Sequence, residues 1–509
     1  MPPADHERGR ARERNRARAA TQAGLDAPYV IGVDAGTTVT KAVAFGIDGT
    51  QLCRIARPTQ LNRPAPGRYE QDTDQVVASV VEVLAALAAR LAGRRALAVG
   101  VTGQGDGLWL VDPHGRPVRP AMSWLDARAA PIVSDWSADG RLVAAYRRTG
   151  GLMFSGSAGP LLAWLDAHEP GDLAAAATAG YCKDVVLQRL TGVRATDVSD
   201  ASLPFLDPHT RDYDASVLDL LGLARWRHLL APVRSQPAGE LRASGTGLPA
   251  GTPVIAGPYD LPASAWGAGV SATGDGLLIV GTTLACQVLR DRVDTGGEPS
   301  GLTISTWEAG RWLRALPAMV GTAALDWVLR LVGVGIDRLP ALLSTGRADG
   351  LTVLPFFAEA GERAPFVEPN ARARIDGMHL GTEAPDLVRA TAEAIAYSAR
   401  HCLTEAGLTG EVTACGGGVR SAGWAQIFAD VLGRPVRVLT DDETGARGAA
   451  LAALRVIGEP PLAHAPTGHT YEPDPATAGR YQDGYARYLD HLAQARAGWA
   501  HSPSKESIP

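Results

Sequence analysis

The sequence predicts an α/β protein built as two related halves around a shared cleft. Three observations carry this. The ordered part opens with three strands in antiparallel succession, not with strand then helix. Its first strand–Gly-Thr-Thr–strand unit recurs at Gly281. Long helical patterns then alternate with short apolar strands.

Composition sets the outer bounds. A chain of 509 residues, 46% apolar and 20% charged, suits a soluble globular protein of two large or about three smaller domains. With 49 basic against 54 acidic residues the net charge is −5, so nothing global draws the chain to nucleic acid or anionic lipid. Cys53, Cys182, Cys286, Cys402 and Cys415 lie far apart with no CxxC pair. This argues against a disulfide framework and a cysteine zinc site, and it suits the cytoplasm. No apolar run reaches the ~18–20 residues of a membrane span, and the opening lacks the apolar core of a secretory signal. The expected partners are small molecules, with a homodimer left open.

Residues 1–27 carry six arginines and no apolar stripe, which reads as a disordered arm. Tyr29–Val33 is a β-branched run ending at Asp34 and Gly36-Thr37-Thr38. Thr40–Phe45 is the second strand, the Asp48-Gly49 turn closes it, and a third strand follows near Gln51–Ala56. Asp74–Leu91 has helical apolar spacing, Ala96–Val101 is a buried strand, and Leu108–Val111 reads as half of a hairpin turning at Asp112–Gly115. Helices are expected at Ala158–Glu169 and Lys183–Leu190.

The second half opens at Val254–Ile255, followed by Asp260 and a helix over Pro262–Ala268. Gly276–Val280, Gly281-Thr282-Thr283 and Leu284–Leu289 repeat the opening hairpin. Helices are expected at Ala318–Val332, Ala384–Leu403 and Ser421–Leu432, with a strand at Glu411–Ala414 running into Gly416-Gly417-Gly418. The resulting division is 28–254, 255–460 and a helical extension and tail over 461–509.

Several groups have the makings of chemistry. A glycine in a strand-to-strand turn lets backbone N–H groups approach an anion. The hydroxyls of Thr37 and Thr38 add donors, Asp34 can hold Mg²⁺ through water, and Lys41 can neutralise phosphate. Alone, this hairpin is equally a plain turn; Gly281 and Thr282 in the second half favour a triphosphate clamped between two hairpins. Gly417 and Gly418, at a strand-to-helix transition, leave bare backbone for a base or ribose, or form a mere loop. There is no Walker A and no GxGxxG. Asp260, between a strand and a helix, is either an N-cap or a proton acceptor. Gln104, Gly105 and Asp106, near Trp109, with Asp126 and Arg128 after Trp124, have the mixed polar and aromatic character of a sugar site, though Asp126 and Arg128 could equally form a structural salt bridge.

Taken in order, DAGTTVTKAV, GRYEQD, VTGQGDGLWLVD, SWLDARA, KDVVLQRLTG, TDVSDAS, AGPYDLPA, GTT, GERAPF, EAIAYS and ACGGGVRSAGWAQIFADVLGRPV resemble the FGGY carbohydrate kinases from about Tyr29 to Gly458. The resemblance implies an actin-like (ribonuclease H-like) ATPase fold and phosphorylation, by ATP with Mg²⁺, of a hydroxyl on a tetritol, pentitol or pentulose such as erythritol or xylulose. It implies Asp34 as the metal-linked carboxylate, Thr37, Thr38, Gly281 and Thr282 at phosphates, Gly417 and Gly418 beside adenosine, and Asp260 as the base. Gly105 and Asp106 fall where pentulose kinases contact sugar. Leu261 replaces the Gln that follows this Asp in glycerol kinases, which disfavours glycerol. The competing expectations are a non-catalytic actin-fold nucleotide sensor and a chaperone-type ATPase. A sensor has no reason to keep both Asp260 and the Gln104–Asp106 loop.

Overall fold

A computed structural model of the chain describes residues 27–242, 244–441 and 443–499. The expected arginine-rich arm (all but Ala27) and the tail from Ser502 lie outside the described residues.

The first main sheet contains β1 (Tyr29–Ala35), β2 (Val39–Gly46), β3 (Gln51–Pro58), β4 (Ala96–Gly103), β5 (Ala238–Glu240) and β6 (Pro253–Ala256), in the order β5-β6-β4-β1-β2-β3. The second contains β7 (Gly276–Val280), β8 (Leu284–Arg290), β9 (Leu302–Ser305), β10 (Trp312–Ala318), β11 (Val412–Cys415), β12 (Val436–Leu439) and β13 (Gly468–Tyr471), in the order β9-β10-β8-β7-β11-β12-β13. In each sheet a hairpin strand lies antiparallel to its partner on one side and parallel to a later strand on the other: β1 with β2 and β4, β7 with β8 and β11. The short sequence echo is therefore a repeated topology.

Apolar periodicity explains the flanking helices. In α1 (Thr73–Arg90), Val76, Val80, Val83, Leu84 and Leu87 are buried, and the Asp72 side chain caps the helix by accepting from the Gln75 N–H. With α2 (Cys182–Thr191), α1 covers one face of the first sheet. The opposite face is covered from the other half of the chain. There α6 (Thr444–Ile457) packs Ala446, Ala450, Ala453 and Leu454 on Val30, Val43, Phe45, Ala98 and Ile255.

Glycines permit that approach. A Cβ added at Gly32 would stand 1.8 Å from the Ala446 carbonyl oxygen, and one at Gly100 1.9 Å from that of Ala449. A second helix, α3 (Asp260–Gly267), meets α6 just as closely: a Cβ at Gly448 would lie 1.9 Å from Ala263 O, and one at Gly267 1.8 Å from Thr444 O. Helices α4 (Ala384–Ala406), α5 (Ala422–Leu432) and α7 (Ala478–Trp499) complete the core around the second sheet.

One local expectation is corrected. The helix expected from Ala318 begins at Thr322, because residues up to Ala318 pair with β8 as strand β10. The hairpin expected from Leu108–Val111 does turn at Asp112–Gly115: Asp112 N donates to Arg116 O at 2.8 Å, Gly115 N to Asp112 O at 3.0 Å and Val118 N to Leu110 O at 3.0 Å, while Trp109–Val111 also pairs with Thr178–Gly180.

Candidate active site

The turn between β1 and β2 is built to leave amides over. Gly36 N donates to Val39 O at 3.1 Å, Thr59 N to Thr38 O at 2.8 Å, and Gln71 Nε2 to Thr37 O at 2.9 Å. Among the described residues the N–H groups of Thr37 and Thr38 have no acceptor. The second hairpin repeats this: Gly281 N donates to Thr283 O at 3.2 Å, the carbonyls of Gly281 and Thr282 accept from Thr322 and Ala323, and the Thr282 and Thr283 amides have no acceptor. The Gly416–Gly418 segment touches this hairpin, since a Cβ at Gly418 would lie 2.4 Å from Val280 Cγ1 and one at Gly416 2.6 Å from Val280 O.

Asp34 ends β1, partly buried. Its Oδ2 lies 3.3 Å from Lys41 Nζ, which also lies 3.1 Å from Glu443 Oε2. Burial works against the Lys41 charge, but Asp34 and Glu443 outweigh it and raise the ammonium's pKa. The amino end of α6 stands over Asp34: a Cβ at Gly445 would be 3.3 Å from Asp34 Oδ2 and 3.7 Å from Ser264 Oγ on α3.

Asp260 is the first residue of α3 and does not cap it; Tyr259 stands at the cap, without a side-chain bond. The capping alternative for Asp260 is thereby excluded. Burial pushes its carboxyl up to about 7, Asp34 pushes the same way, the Leu261 amide opposes, and Asp106 adds to the rise. Asp106 itself holds a left-handed backbone with φ 54°. Burial pushes it up to about 7 against the pull of Ser157 and Arg363. Asp260 on α3 thus feels one carboxyl group from β1 and one from the Gln104–Asp106 loop.

Around this cluster the side chains sort themselves. Thr37 Oγ1 donates to Gln104 Oε1 at 2.9 Å and accepts from Trp124 Nε1 at 3.0 Å. Gln104 Nε2 donates to Gln71 Oε1 at 2.5 Å. A Cβ at Gly105 would lie 2.5 Å from the Tyr259 ring, so its bare backbone seats the residue before Asp260.

Family models for the N-terminal and C-terminal domains of FGGY carbohydrate kinases match residues 29–267 and 311–456. The erythritol kinase of Brucella abortus (strain 2308) is 35% identical over 495 residues, 91% of this chain and 95% of that one. The chain belongs to the FGGY family of carbohydrate kinases. The xylulose kinase of Escherichia coli (strain K12) is 27% identical, over 89% of this chain and 96% of its own. Among solved structures, the xylulose kinase from Rhodospirillum rubrum superposes with a TM-score of 0.85 at 30% identity, covering 93% of this chain and all of that one (100%). The fold is therefore the actin-like ATPase fold, and the protein is an ATP-using kinase of a small sugar or polyol. The sensor and chaperone alternatives fall away.

In this kinase several residues expected at the site already have partners within the protein. Asp126 is fully buried; its carboxylate accepts from Tyr69 N at 2.8 Å and from Arg128 N and Nε at 2.9 Å, so it latches a turn. Gln104 is committed at both ends to Thr37 and Gln71. Lys41 has two carboxylates, Asp34 and Glu443, on its ammonium. Gly418 is buried on Val280, which leaves Gly417 as the open glycine, where an added Cβ would meet nothing within 4 Å. Trp109, named for its position near the loop, is core. Sequence reading missed Glu443, Gly445 and Arg363, whose roles arise from contacts between the two halves.

Proposed function

We propose that this kinase transfers the terminal phosphoryl group of ATP to a hydroxyl of a short-chain polyol or ketose, a tetritol, pentitol or pentulose, with Asp260 as general base. One observation carries the reading. Asp260 is uncapped, stands at the start of α3, is raised to about 7, and interacts with both Asp34 and Asp106. A base with a pKa near neutrality is suited to accepting the hydroxyl proton as oxygen attacks phosphorus. The 35% identity to an erythritol kinase supports a tetritol as the first acceptor to try.

In this reading the unpaired amides of Thr37, Thr38, Thr282 and Thr283 take phosphate oxygens, and Gly417 gives the adenosine flat backbone. Asp34 offers carboxylate oxygens, a donor type that fits Mg²⁺ carried on nucleotide phosphates. Bound magnesium would neutralise charge on those phosphates. Lys41 and Glu443 hold Asp34 in place, Asp106 accepts from sugar hydroxyls, and Asp260 takes the proton. We place the protein in the cytoplasm, where widely separated cysteines remain thiols; no helix among the described residues is long and apolar enough to cross a membrane.

The test is ADP release by purified protein with ATP, Mg²⁺ and a panel of tetritols, pentitols and pentuloses. At least one acceptor should stimulate release well above the sugar-free rate. Equal release with and without every acceptor would overturn the reading.

A further inference from the structure

Arg363 belongs to the second half but stands among residues of the first. Its loop is anchored by the buried Glu362, whose carboxylate accepts from Met319 N at 2.7 Å, Arg363 N at 2.8 Å and Ala364 N at 3.3 Å. The Arg363 Nε donates to Pro317 O at 2.8 Å, near the end of β10. This fixes the guanidinium between two partly exposed aromatic rings, with Cζ 5.9 Å from the Trp124 centroid and 5.4 Å from that of Phe154. Trp124 is the residue whose indole bonds Thr37 of the first hairpin. Among the described residues Nη1 and Nη2 of Arg363 have no hydrogen-bond partner, and neither is sealed from solvent without one.

The charged groups around Arg363 define what it can meet. Its charge interacts with Glu362 and Asp106, and Asp106 in turn interacts with Asp260. Glu362 takes its three backbone amides on Oε1 and keeps Oε2 buried without a hydrogen-bond partner, and Asp106 lies in the loop of the first half. A guanidinium with spare donors thus stands between two aromatic rings and within electrostatic range of Asp106, which in turn interacts with the proposed base.

We propose that Arg363 is a specificity-determining residue. From the second half it donates to a hydroxyl oxygen of the acceptor that Asp106 contacts from the first. This deepens the kinase reading and rests on it: the substrate class is a polyol or ketose with a hydroxyl flanking the one phosphorylated. Arginine is donor-only and carboxylate an acceptor, so a hydroxyl between them satisfies both, whereas a deoxy carbon leaves the guanidinium unpaired.

The experiment uses the full chain, with the best acceptor from the panel and its single-deoxy analogues. Arg363→Met keeps length and contact with the rings but removes the donors; Arg363→Lys keeps the charge. In Arg363→Met, KM for the acceptor should rise about tenfold or more while KM for ATP stays within about twofold. Discrimination between the parent acceptor and one deoxy analogue should shrink about tenfold, with partial recovery in Arg363→Lys. Unchanged discrimination against every deoxy analogue overturns the inference. If Arg363→Met does not fold, the same discrimination measured in Arg363→Lys decides, because its ammonium cannot reproduce the planar fork. Wild-type protein that turns over no acceptor would sink the kinase reading itself; normal wild-type turnover with indifferent Arg363 variants removes this inference alone.

Discussion

Lys41 stands directly opposite Asp34 in the β1–β2 register, and its ammonium bridges from Asp34 to Glu443 in the second half. A cation that looked free for phosphate in the sequence instead holds two carboxylates, one from each half. Removing it leaves Asp34 without its cation and Glu443 with Arg54 alone. Losing one partner of a fully buried pair costs about 3–5 kcal/mol; Lys41 keeps 21% side-chain exposure, so a loss on the order of 2 kcal/mol is expected for Lys41→Met. Denaturant unfolding measures this. Steady-state kinetics should show kcat falling more than KM for ATP changes; a rise in KM for ATP alone would return Lys41 to the phosphate.

Asp260→Asn keeps the shape of the side chain at the start of α3 and abolishes proton acceptance. General base catalysis contributes about 10²–10⁴-fold, so turnover should fall by at least about 10²-fold while ATP binding, read by calorimetry, is retained. Turnover close to wild type would remove Asp260 from the chemistry.

The raised carboxyl of Asp260 sets a pH dependence. A base must be unprotonated, so kcat/KM for the acceptor should climb as pH rises through about 7. Asp34 contributes to that elevation after burial, so the residual activity of Asp34→Asn should have its acid limb at lower pH. The stability sign runs the other way. A carboxyl raised to about 7 in the fold, as at Asp106, contributes stability that is present below its unfolded pKa and lost as pH rises through about 7. Asp106→Asn should therefore lose less stability than wild type between pH 5 and pH 8, by thermal melts at both.

How much of this was legible in the sequence follows from the range of the contacts. The two hairpins were readable because a glycine turn between β-branched runs is a local pattern; the place of Asp260 between strand and helix was readable in the same way, but its role as base came from the family resemblance and not from the junction. The roles of Gln104 and Asp126 were not, because residue type does not say whether a carboxylate or amide already has partners: Asp126 finds the Tyr69 amide and Arg128, Gln104 finds Thr37 and Gln71. Glu443 was invisible for another reason. Its partner Arg54 is 389 residues away, and no local signal connects β3 to the start of α6. The packing of α6 on the first sheet rests on single glycines, Gly32 and Gly100, each unremarked in an ordinary strand.

The glycine segment separates its two readings by position. A methyl at Gly417 meets nothing within 4 Å, whereas one at Gly418 collides with Val280 at 2.4 Å. Gly418→Ala should destabilise the fold by about 1–3 kcal/mol through overpacking. Gly417→Ala should melt like wild type and act, if anywhere, on affinity for ATP. Thermal melts and nucleotide titration of the two variants separate packing from binding, and equal melting losses would contradict the assignment.

The contact of α3 with α6 ties the position of the base to the junction of the halves. Gly448 lets the Ala263 carbonyl approach to where a Cβ would sit, 1.9 Å away, and Gly445 does the same for the Asp34 carboxylate at 3.3 Å. An alanine at Gly448 cannot be absorbed by a flexible side chain, because the obstruction is backbone. Either α3 moves, carrying Asp260 with it, or α6 lifts from the first sheet. Both cost stability, at least about 1–3 kcal/mol, but only the first alters chemistry. Gly448→Ala is expected to lower the melting temperature and to cut kcat about tenfold or more, since small misplacements of a reacting group are costly. A variant that melts early yet retains full kcat at low temperature would show that α6, not α3, yields, and that the base is held by Gly105 and Tyr259 alone.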